Sequence, residues 1–176
     1  MGPLIKRTLL TTEPAASVDK GAPGDQKAAM SLSEIARHNL AIVEAGRYET
    51  NGVIVDLQPG LARALERTTL YRPEQLENLL GSATPAAPES NELPGGLHVE
   101  VTDERTGAAA RRLFEAGGQP PLVLNFASAR NPGGGFLRGA KAQEEDLCRC
   151  SALYSCQLRC PEYYEVNRRE RSLLYT

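Results

Sequence analysis

The sequence lacks tryptophan, and its 176 residues include only three phenylalanines and two histidines. Because the two histidines are isolated along the chain, we do not expect a catalytic or metal site built on histidine. Basic residues do not exceed acidic ones, and the net charge of −2 gives no electrostatic footprint for bulk binding of DNA or RNA. No apolar run approaches the length needed to cross a membrane. We therefore expect a soluble cytoplasmic protein without a membrane partner.

Glycine is absent after Gly139, and the dinucleotide-binding pattern G-x-G-x-x-G is missing, which argues against a dinucleotide oxidoreductase. Cysteine is confined to thirteen residues, at Cys148, Cys150, Cys156 and Cys160. Cysteines that staple a secreted domain are spread along the chain, and this spacing is not a standard zinc spacing. We expect buried or half-buried free thiols, with a redox or zinc device as the alternative.

The chain order predicts an α/β domain. Residues 1–30 are rich in small polar residues, proline and glycine and are interpreted as a disordered leader. Ser31 and Glu34 form a candidate capping box, opening a helix that ends near Gly46. Further patterns predict strands over 53–57, 97–101 and 122–126, and a strand or loop over 172–176. They predict helices over 61–70, 73–80, 106–116 (with Leu113 and Phe114 facing inward), 143–159 and 161–171. The strand–helix–strand order favours a right-handed crossover.

The stretch from 122 to 154 carries the functional signal. A glycine triplet, Gly133 to Gly135, follows the predicted strand, and backbone without Cβ atoms can approach a ligand closely and turn its N–H groups toward phosphate or ribose oxygens. Glu144 and Glu145 then begin a helix, and paired carboxylates suit acid/base chemistry on a sugar. Taken singly, the triplet is typical of a flexible turn and the glutamates of a complemented helix dipole.

The combination is more specific. NFASARNP, then GGG, then QEE after seven residues, closely resembles the signature of bacterial-type poly(ADP-ribose) glycohydrolases. The resemblance implies a macrodomain-like three-layer α/β/α sandwich with a mixed central sheet, here with an N-terminal helical extension. It implies a substrate, ADP-ribose or poly(ADP-ribose), and hydrolysis of the polymer's ribose–ribose O-glycosidic bonds. It implies no cofactor and no metal.

The resemblance also implies residue roles. Glu145 would be the catalytic acid/base, and Glu144 would hydrogen-bond ribose hydroxyls. The other residues implied to bind substrate are Asn131, Gly133, Gly134, Gly135, Phe136 and Gln143, of which Gln143 is expected chiefly to support the loop. Ser128 stands where many macrodomains carry another asparagine, and Phe126 is expected in the core rather than as an adenine platform.

In the family the domain continues into a second glycine-rich loop that cradles the pyrophosphate, and this sequence contains no such loop. Residues 31–176 are therefore expected to be the N-terminal portion of a glycohydrolase-like macrodomain, incomplete at its C-terminus. We expect a monomer, or a chain paired through an exposed apolar sheet edge. The alternatives are a non-catalytic ADP-ribose-binding module, an inactive truncated fragment, and a structural or interaction fragment.

Overall fold

A computed structural model of the chain describes residues 5–7, 30–82 and 99–169. Predictions for the rest of the leader, for 97–98 and for 170–176 lie outside the described residues. The elements in chain order are β1 (Ile5–Arg7), α1 (Leu32–Ala45), β2 (Arg47–Thr50), β3 (Val53–Asp56), α2 (Gln58–Glu66), β4 (Thr69–Tyr71), α3 (Pro73–Ser82), α4 (Thr106–Gly117), a 3₁₀ turn (Phe136–Arg138), α5 (Gln143–Cys150), α6 (Leu153–Leu158) and α7 (Pro161–Arg169).

Helix α1 begins and ends as the sequence predicts. The Ser31 hydroxyl accepts a hydrogen bond from the Glu34 amide (3.3 Å), and the Glu34 carboxylate accepts one from the Ser31 amide (2.7 Å), which completes the capping box. Gly46 ends the helix at φ +68°, and its amide donates to the Ile42 carbonyl. A Cβ at Gly46 would fall on the Gln58 side chain, so this glycine also permits the close approach of α2.

Helices and strands mix along the chain, which confirms the α/β class, but the strands pair in short ladders. β2 and β3 form an antiparallel hairpin across a turn at Asn51 and Gly52, both at positive φ. β1 and β4 form a second antiparallel ladder, and β1 lies within the range predicted as a disordered leader. Over 5–7, 30–82 and 99–169 these are the two sheets, and no mixed central sheet is formed there.

Two predicted strands are not paired in the structure. Residues 122–126 and 99–101 find no hydrogen-bonded neighbour strand among the described residues, so the extended pattern is not converted into a sheet. Their large apolar side chains lie in solvent instead; Leu122, for example, is 85% exposed. The exposed set is Val99, Val101, Leu122, Leu124 and Phe126. The prediction that Phe126 belongs to the core is therefore wrong.

Helix boundaries differ most from the prediction before β4 and at Ser151. Residues 69 and 70 were predicted as the end of the 61–70 helix, but they belong to β4 and pair with β1, and α2 ends at Glu66. The predicted 143–159 helix is divided because Ser151 takes an extended backbone (φ −152°, ψ 177°). The Ser151 hydroxyl donates to the Leu147 carbonyl and accepts from the Leu153 amide, so it ends α5 and begins α6. Leu113 is exposed, so its predicted inward orientation is wrong.

The core lies between α1, the 3₁₀ turn, α5 and α6. Its buried apolar members are Ala36, Phe136, Leu147, Cys148 and Leu153, with Leu40 and Tyr154 packed against them. The Asn39 side-chain amide of α1 donates to the carbonyls of Cys148 (2.9 Å) and Ser151 (3.0 Å), which supplies donors to the carboxyl end of α5. Helix α5, which carries the glutamate pair, is therefore held by packing along one side and by α1 at its end.

The four cysteines form no disulfide, and three of them are buried, as the sequence predicts; Cys150 is exposed. We expect Ellman's reagent to modify one thiol in the native protein and four after unfolding. Partial burial, and then the Asp146 carboxylate, raise the pKa of the Cys150 thiol, so the native reaction should be slow at neutral pH and accelerate as pH rises. Cys150→Ser should remove the native reaction. Two or more native thiols reacting at one rate would contradict this burial.

Within the part of the chain that the structure covers, no helix has both the length and the apolar character to cross a membrane.

Candidate active site

The glycine-containing loop is ordered by its own hydrogen bonds. The Ser128 hydroxyl accepts from the amides of Arg130 (3.3 Å) and Asn131 (3.1 Å), which tightens the turn that leads into the triplet. The Asn131 carbonyl then accepts from the Gly134 amide (3.1 Å). The role of Ser128 could not be predicted from the sequence. In the structure its hydroxyl shapes the loop, and its backbone amide donates to Glu144.

Two glycines of the triplet have left-handed backbone, Gly133 at φ +66° and Gly134 at φ +56°. A Cβ built on Gly134 would overlap the Glu145 Oε1 atom and lie 3.2 Å from Glu144 Oε2. A Cβ on Gly133 would lie 2.8 Å from the Phe136 ring. The sequence predicted close approach of this backbone to a ligand; the structure shows that the loop also packs directly on the two carboxylates, which leaves space for glycine alone.

The glutamate pair lies in the first turn of α5, after Ala142 as the N-cap. Ala142 offers no side-chain cap, so the carboxylates that follow it complement the positive end of the helix dipole. Both are nearly excluded from solvent, Glu144 at 2% exposure and Glu145 at 8%. Two adjacent buried carboxylates at one helix end are costly unless donors surround them, and the two residues differ in how many donors they have.

Glu144 is held on both oxygens. Oε1 accepts from the Gln157 side-chain amide (2.5 Å) and, at the long distance of 3.5 Å, from the Asn125 side-chain amide. Oε2 accepts from the Ser128 backbone amide (2.8 Å). Three donors of this kind compensate the burial of a carboxylate and fix its plane.

Glu145 is held on one oxygen only. The Gly135 amide donates to Glu145 Oε1 (2.9 Å), and the second oxygen makes no hydrogen bond with any residue that the structure describes. The carboxylate itself lies against the glycine turn, because a Cβ on Gly134 would overlap its Oε1, so a ligand seated on the loop would come close to Glu145. The geometry therefore separates the pair into one fixed carboxylate and one with an oxygen left for chemistry.

Gln143 connects the loop to the helix. Its Oε1 accepts from the Phe126 amide (2.8 Å), and its Nε2 donates to the Leu124 carbonyl (2.7 Å) and to the Thr106 hydroxyl (3.2 Å). The amide thus bonds the 122–126 segment as a neighbouring strand would, and ties it to α4. These contacts fix Gln143 against the segment that leads into the loop, and its predicted roles in supporting the loop and binding substrate stay predictions.

The structure separates the other predicted substrate-binding residues. Phe136, predicted to bind substrate, is 1% exposed and packs against Tyr154 with ring centroids 4.8 Å apart, so its ring belongs to the core and its part in substrate binding stays a prediction. Asn131 is exposed at the rim of the loop, and its side chain makes no hydrogen bond with the described residues, so it is available to a ligand. The three glycines lie between Asn131 and the glutamates.

Asn125 and Gln157 contribute to the site, although the sequence analysis did not single them out. Gln157 is 13 residues from the carboxylate that it contacts, so no short motif contains both. The sequence signal for Gln157 is that it is polar, whereas the nearby Leu153, Cys156 and Cys160 are apolar and buried. Over the same described ranges, no cluster of three or more His, Cys, Asp or Glu side chains is placed to hold a metal ion.

Replacing Glu144 by glutamine should lower the stability of the fold. It should also lower activity, but by less than the same change at Glu145. The new amide nitrogen must face either the Ser128 amide or the Gln157 amide, which sets donor against donor in a buried site. We expect a loss of about 1–3 kcal/mol in the free energy of unfolding, measured in urea. The exposed Glu165→Gln is the matched control. A larger loss of turnover in Glu144→Gln than in Glu145→Gln would mean that the two roles are reversed.

Comparisons with known proteins relate this chain to one family and to several solved structures. Residues 36–176 match the family described as microbial-type PARG, catalytic domain. The chain is similar to three solved structures of poly(ADP-ribose) glycohydrolase from Thermomonospora curvata. One is bound to the inhibitor ADP-HPD (43% identity, TM-score 0.70), and one is the enzyme described without an inhibitor or mutation (42% identity, TM-score 0.72). The third is a mutant with alanine in place of a glutamate (42% identity, TM-score 0.70). Each match covers 82% of this chain.

The matches inform the fold class and the share of the matched enzymes' length that this chain covers. At this identity and TM-score they confirm the macrodomain-like class predicted for the chain. The chain spans about half the length of the matched enzymes, 50–52%. The comparison with curated proteins finds no match.

Proposed function

The chain belongs to the family of microbial-type poly(ADP-ribose) glycohydrolase catalytic domains, and from this we propose that it hydrolyses the ribose–ribose O-glycosidic bonds of poly(ADP-ribose) and releases ADP-ribose. The observation that carries the proposal is the unequal binding of the two glutamates. Glu144 is fixed by three donors, whereas Glu145 keeps one oxygen without a partner among the described residues, beside a loop built of glycine.

In the proposed mechanism Glu145 enters the cycle protonated. It gives its proton to the departing ribose oxygen while the bond from that oxygen to the anomeric carbon breaks and oxocarbenium-like charge develops. The carboxylate then takes a proton from water as the water oxygen bonds to the anomeric carbon, which restores the acid. The Gly135 amide holds Oε1 throughout, so the other oxygen performs the transfer.

The remaining residues would bind and orient. The backbone of Gly133, Gly134 and Gly135 would line the ribose and pyrophosphate, because their small size brings the substrate close to Glu145. Asn131, exposed at the rim, would contact the distal ribose. Glu144 would accept from a ribose hydroxyl with the lone pairs that its three protein donors leave free.

We further propose that residues 31–176 form the N-terminal portion of a glycohydrolase macrodomain. Two observations support this: the chain spans about half of the matched enzymes, and apolar side chains of the 99–101 and 122–126 segments lie in solvent. The second observation favours one alternative, pairing with a partner chain through these segments. Retention of both glutamates favours an enzyme over a pure ADP-ribose-binding module. The absence of bulk nucleic-acid binding and a cytoplasmic location stay predictions.

The proposal is tested by incubating the purified chain with poly(ADP-ribose) and separating the products. We expect ADP-ribose to appear with the wild-type chain and not with Glu145→Gln. Size-exclusion chromatography of the same sample distinguishes a monomer from a paired chain. Binding of ADP-ribose without release of product would instead favour the binding module.

A further inference from the structure

Gln157 lies on α6 beneath the carboxylate pair, with 1% of its surface exposed. Its Nε2 donates to Glu144 Oε1 (2.5 Å), and its Oε1 accepts from the Cys148 thiol (3.8 Å). Turning the amide over would place its carbonyl oxygen against the carboxylate oxygen, so the side chain is fixed in one orientation. A buried amide with both ends engaged is positioned by the core and in turn positions Glu144.

Hydrogen bonds continue from Glu144 into the loop. Glu144 Oε2 accepts from the Ser128 amide (2.8 Å), and the Ser128 hydroxyl accepts from the Asn131 amide (3.1 Å). The Asn131 carbonyl accepts from the Gly134 amide (3.1 Å). The relay from Gln157 through Glu144, Ser128 and Asn131 to Gly134 therefore connects a core helix to the turn on which the ligand would lie.

Other groups near Glu144 do not replace this donor. Asn125 Nδ2 stands at 3.5 Å from the same oxygen, and Asn125 Oδ1 is buried without a partner among the described residues, so this amide is weakly placed. Burial raises the pKa of Tyr164 on α7, and the Glu144 carboxylate raises it further, so this phenol stays protonated beside the site. Gln157 is therefore the nearer of the two side-chain donors to Glu144 Oε1.

We propose that Gln157 is a positioning residue, which fixes the orientation of Glu144 and, through the Ser128 amide, the shape of the ligand loop. The kinetic consequence rests on the proposed glycohydrolase function, whereas the relay itself does not. Gln157 touches neither substrate nor water in this role. It acts by holding Glu144 where a ribose hydroxyl and the loop both require it.

The kinetic test compares Gln157→Met with Gln157→Glu across pH. Removing one hydrogen bond to a charged group should lower kcat/KM about tenfold in Gln157→Met at every pH. In Gln157→Glu a protonated carboxyl donates to Glu144, and an ionised one repels it, so its activity relative to wild type should be near normal at low pH and fall as pH rises. Glu145, Cys148 and Tyr164 are the other titratable groups here, and all three proteins share them.

A purely structural role would not produce this pH-dependent recovery. If Gln157→Glu is folded and equally impaired at every pH, or if Gln157→Met keeps wild-type kcat/KM, the proposal is overturned. Should Gln157→Met fail to fold, the pH profile of Gln157→Glu alone distinguishes a positioning role from a purely structural one.

Amide hydrogen exchange tests the relay without activity. Loss of the Gln157 donor should release Glu144 and speed exchange of the Ser128 amide about tenfold in Gln157→Met, while the Gly46 amide of α1 stays unchanged. Unchanged exchange at Ser128 in a folded variant would overturn the relay. A wild-type chain that does not hydrolyse poly(ADP-ribose) would instead refute the proposed function, and the exchange result would still stand.

Discussion

Glu145→Gln is expected to abolish hydrolysis of poly(ADP-ribose) while ADP-ribose still binds within a few-fold of wild type. The glutamine keeps an oxygen that can accept from the Gly135 amide, so the side chain remains in place, but it has no acidic proton to give. General acid–base catalysis contributes about 10²–10⁴-fold, and kcat should fall by that factor. The measurement is steady-state hydrolysis together with calorimetric titration of ADP-ribose.

The control for this change is Glu165→Gln on α7, where the same substitution is made at an exposed glutamate. It alters the net charge equally and should leave both kcat and affinity unchanged. Near-normal turnover in Glu145→Gln would refute the assignment of Glu145 as the catalytic acid. Loss of both turnover and binding in that variant would show that Glu145 holds the ligand rather than the proton.

Gly134→Ala should disable the site by a different route. The added methyl group would overlap Glu145 Oε1 and crowd Glu144 Oε2, and the backbone at φ +56° is unfavourable for alanine. The loop and the glutamates must separate, and displacement of catalytic groups by about 1 Å can cost on the order of a hundredfold in rate. We expect at least this loss in kcat/KM and a clear loss of ADP-ribose affinity, unlike the selective effect at Glu145.

Gly118→Ala is the matched control for the backbone cost. Gly118 ends α4 at φ +66°, and a Cβ there would meet no atom within 4 Å. Both variants should lose roughly 1–2 kcal/mol of unfolding free energy from the positive φ. Gly118→Ala should nevertheless retain turnover. If the two variants lose activity equally, the contact between the glycine turn and the carboxylates is not what matters.

Features set by neighbouring residues could be predicted from the sequence. The Ser31 and Glu34 capping box, the helix end at Gly46 and the helix start at the glutamates each depend on contacts a few residues apart. The functional signature is equally local, because the glycine triplet and the glutamate pair lie within one loop and one helical turn. Their proximity in space, with the Gly135 amide on Glu145, follows from that short connection.

Features that depend on distant partners could not be predicted in the same way. Residues 122–126 have a strand pattern, but a strand needs a neighbour, and Gln143 is what bonds its backbone here. The resemblance implied that Phe136 binds substrate, whereas packing against Tyr154 places its ring in the core. Gln157 contacts Glu144 only because α6 folds back under α5, and no spacing pattern in the sequence predicts that contact.

The most direct measurement is a calorimetric titration of ADP-ribose into the purified wild-type chain, with a glycohydrolase assay on the same sample. We expect saturable binding together with release of ADP-ribose from the polymer, which would show that the glycine loop and glutamate pair suffice for both steps. A folded sample that neither binds ADP-ribose nor releases it from the polymer would contradict the assignment of this site.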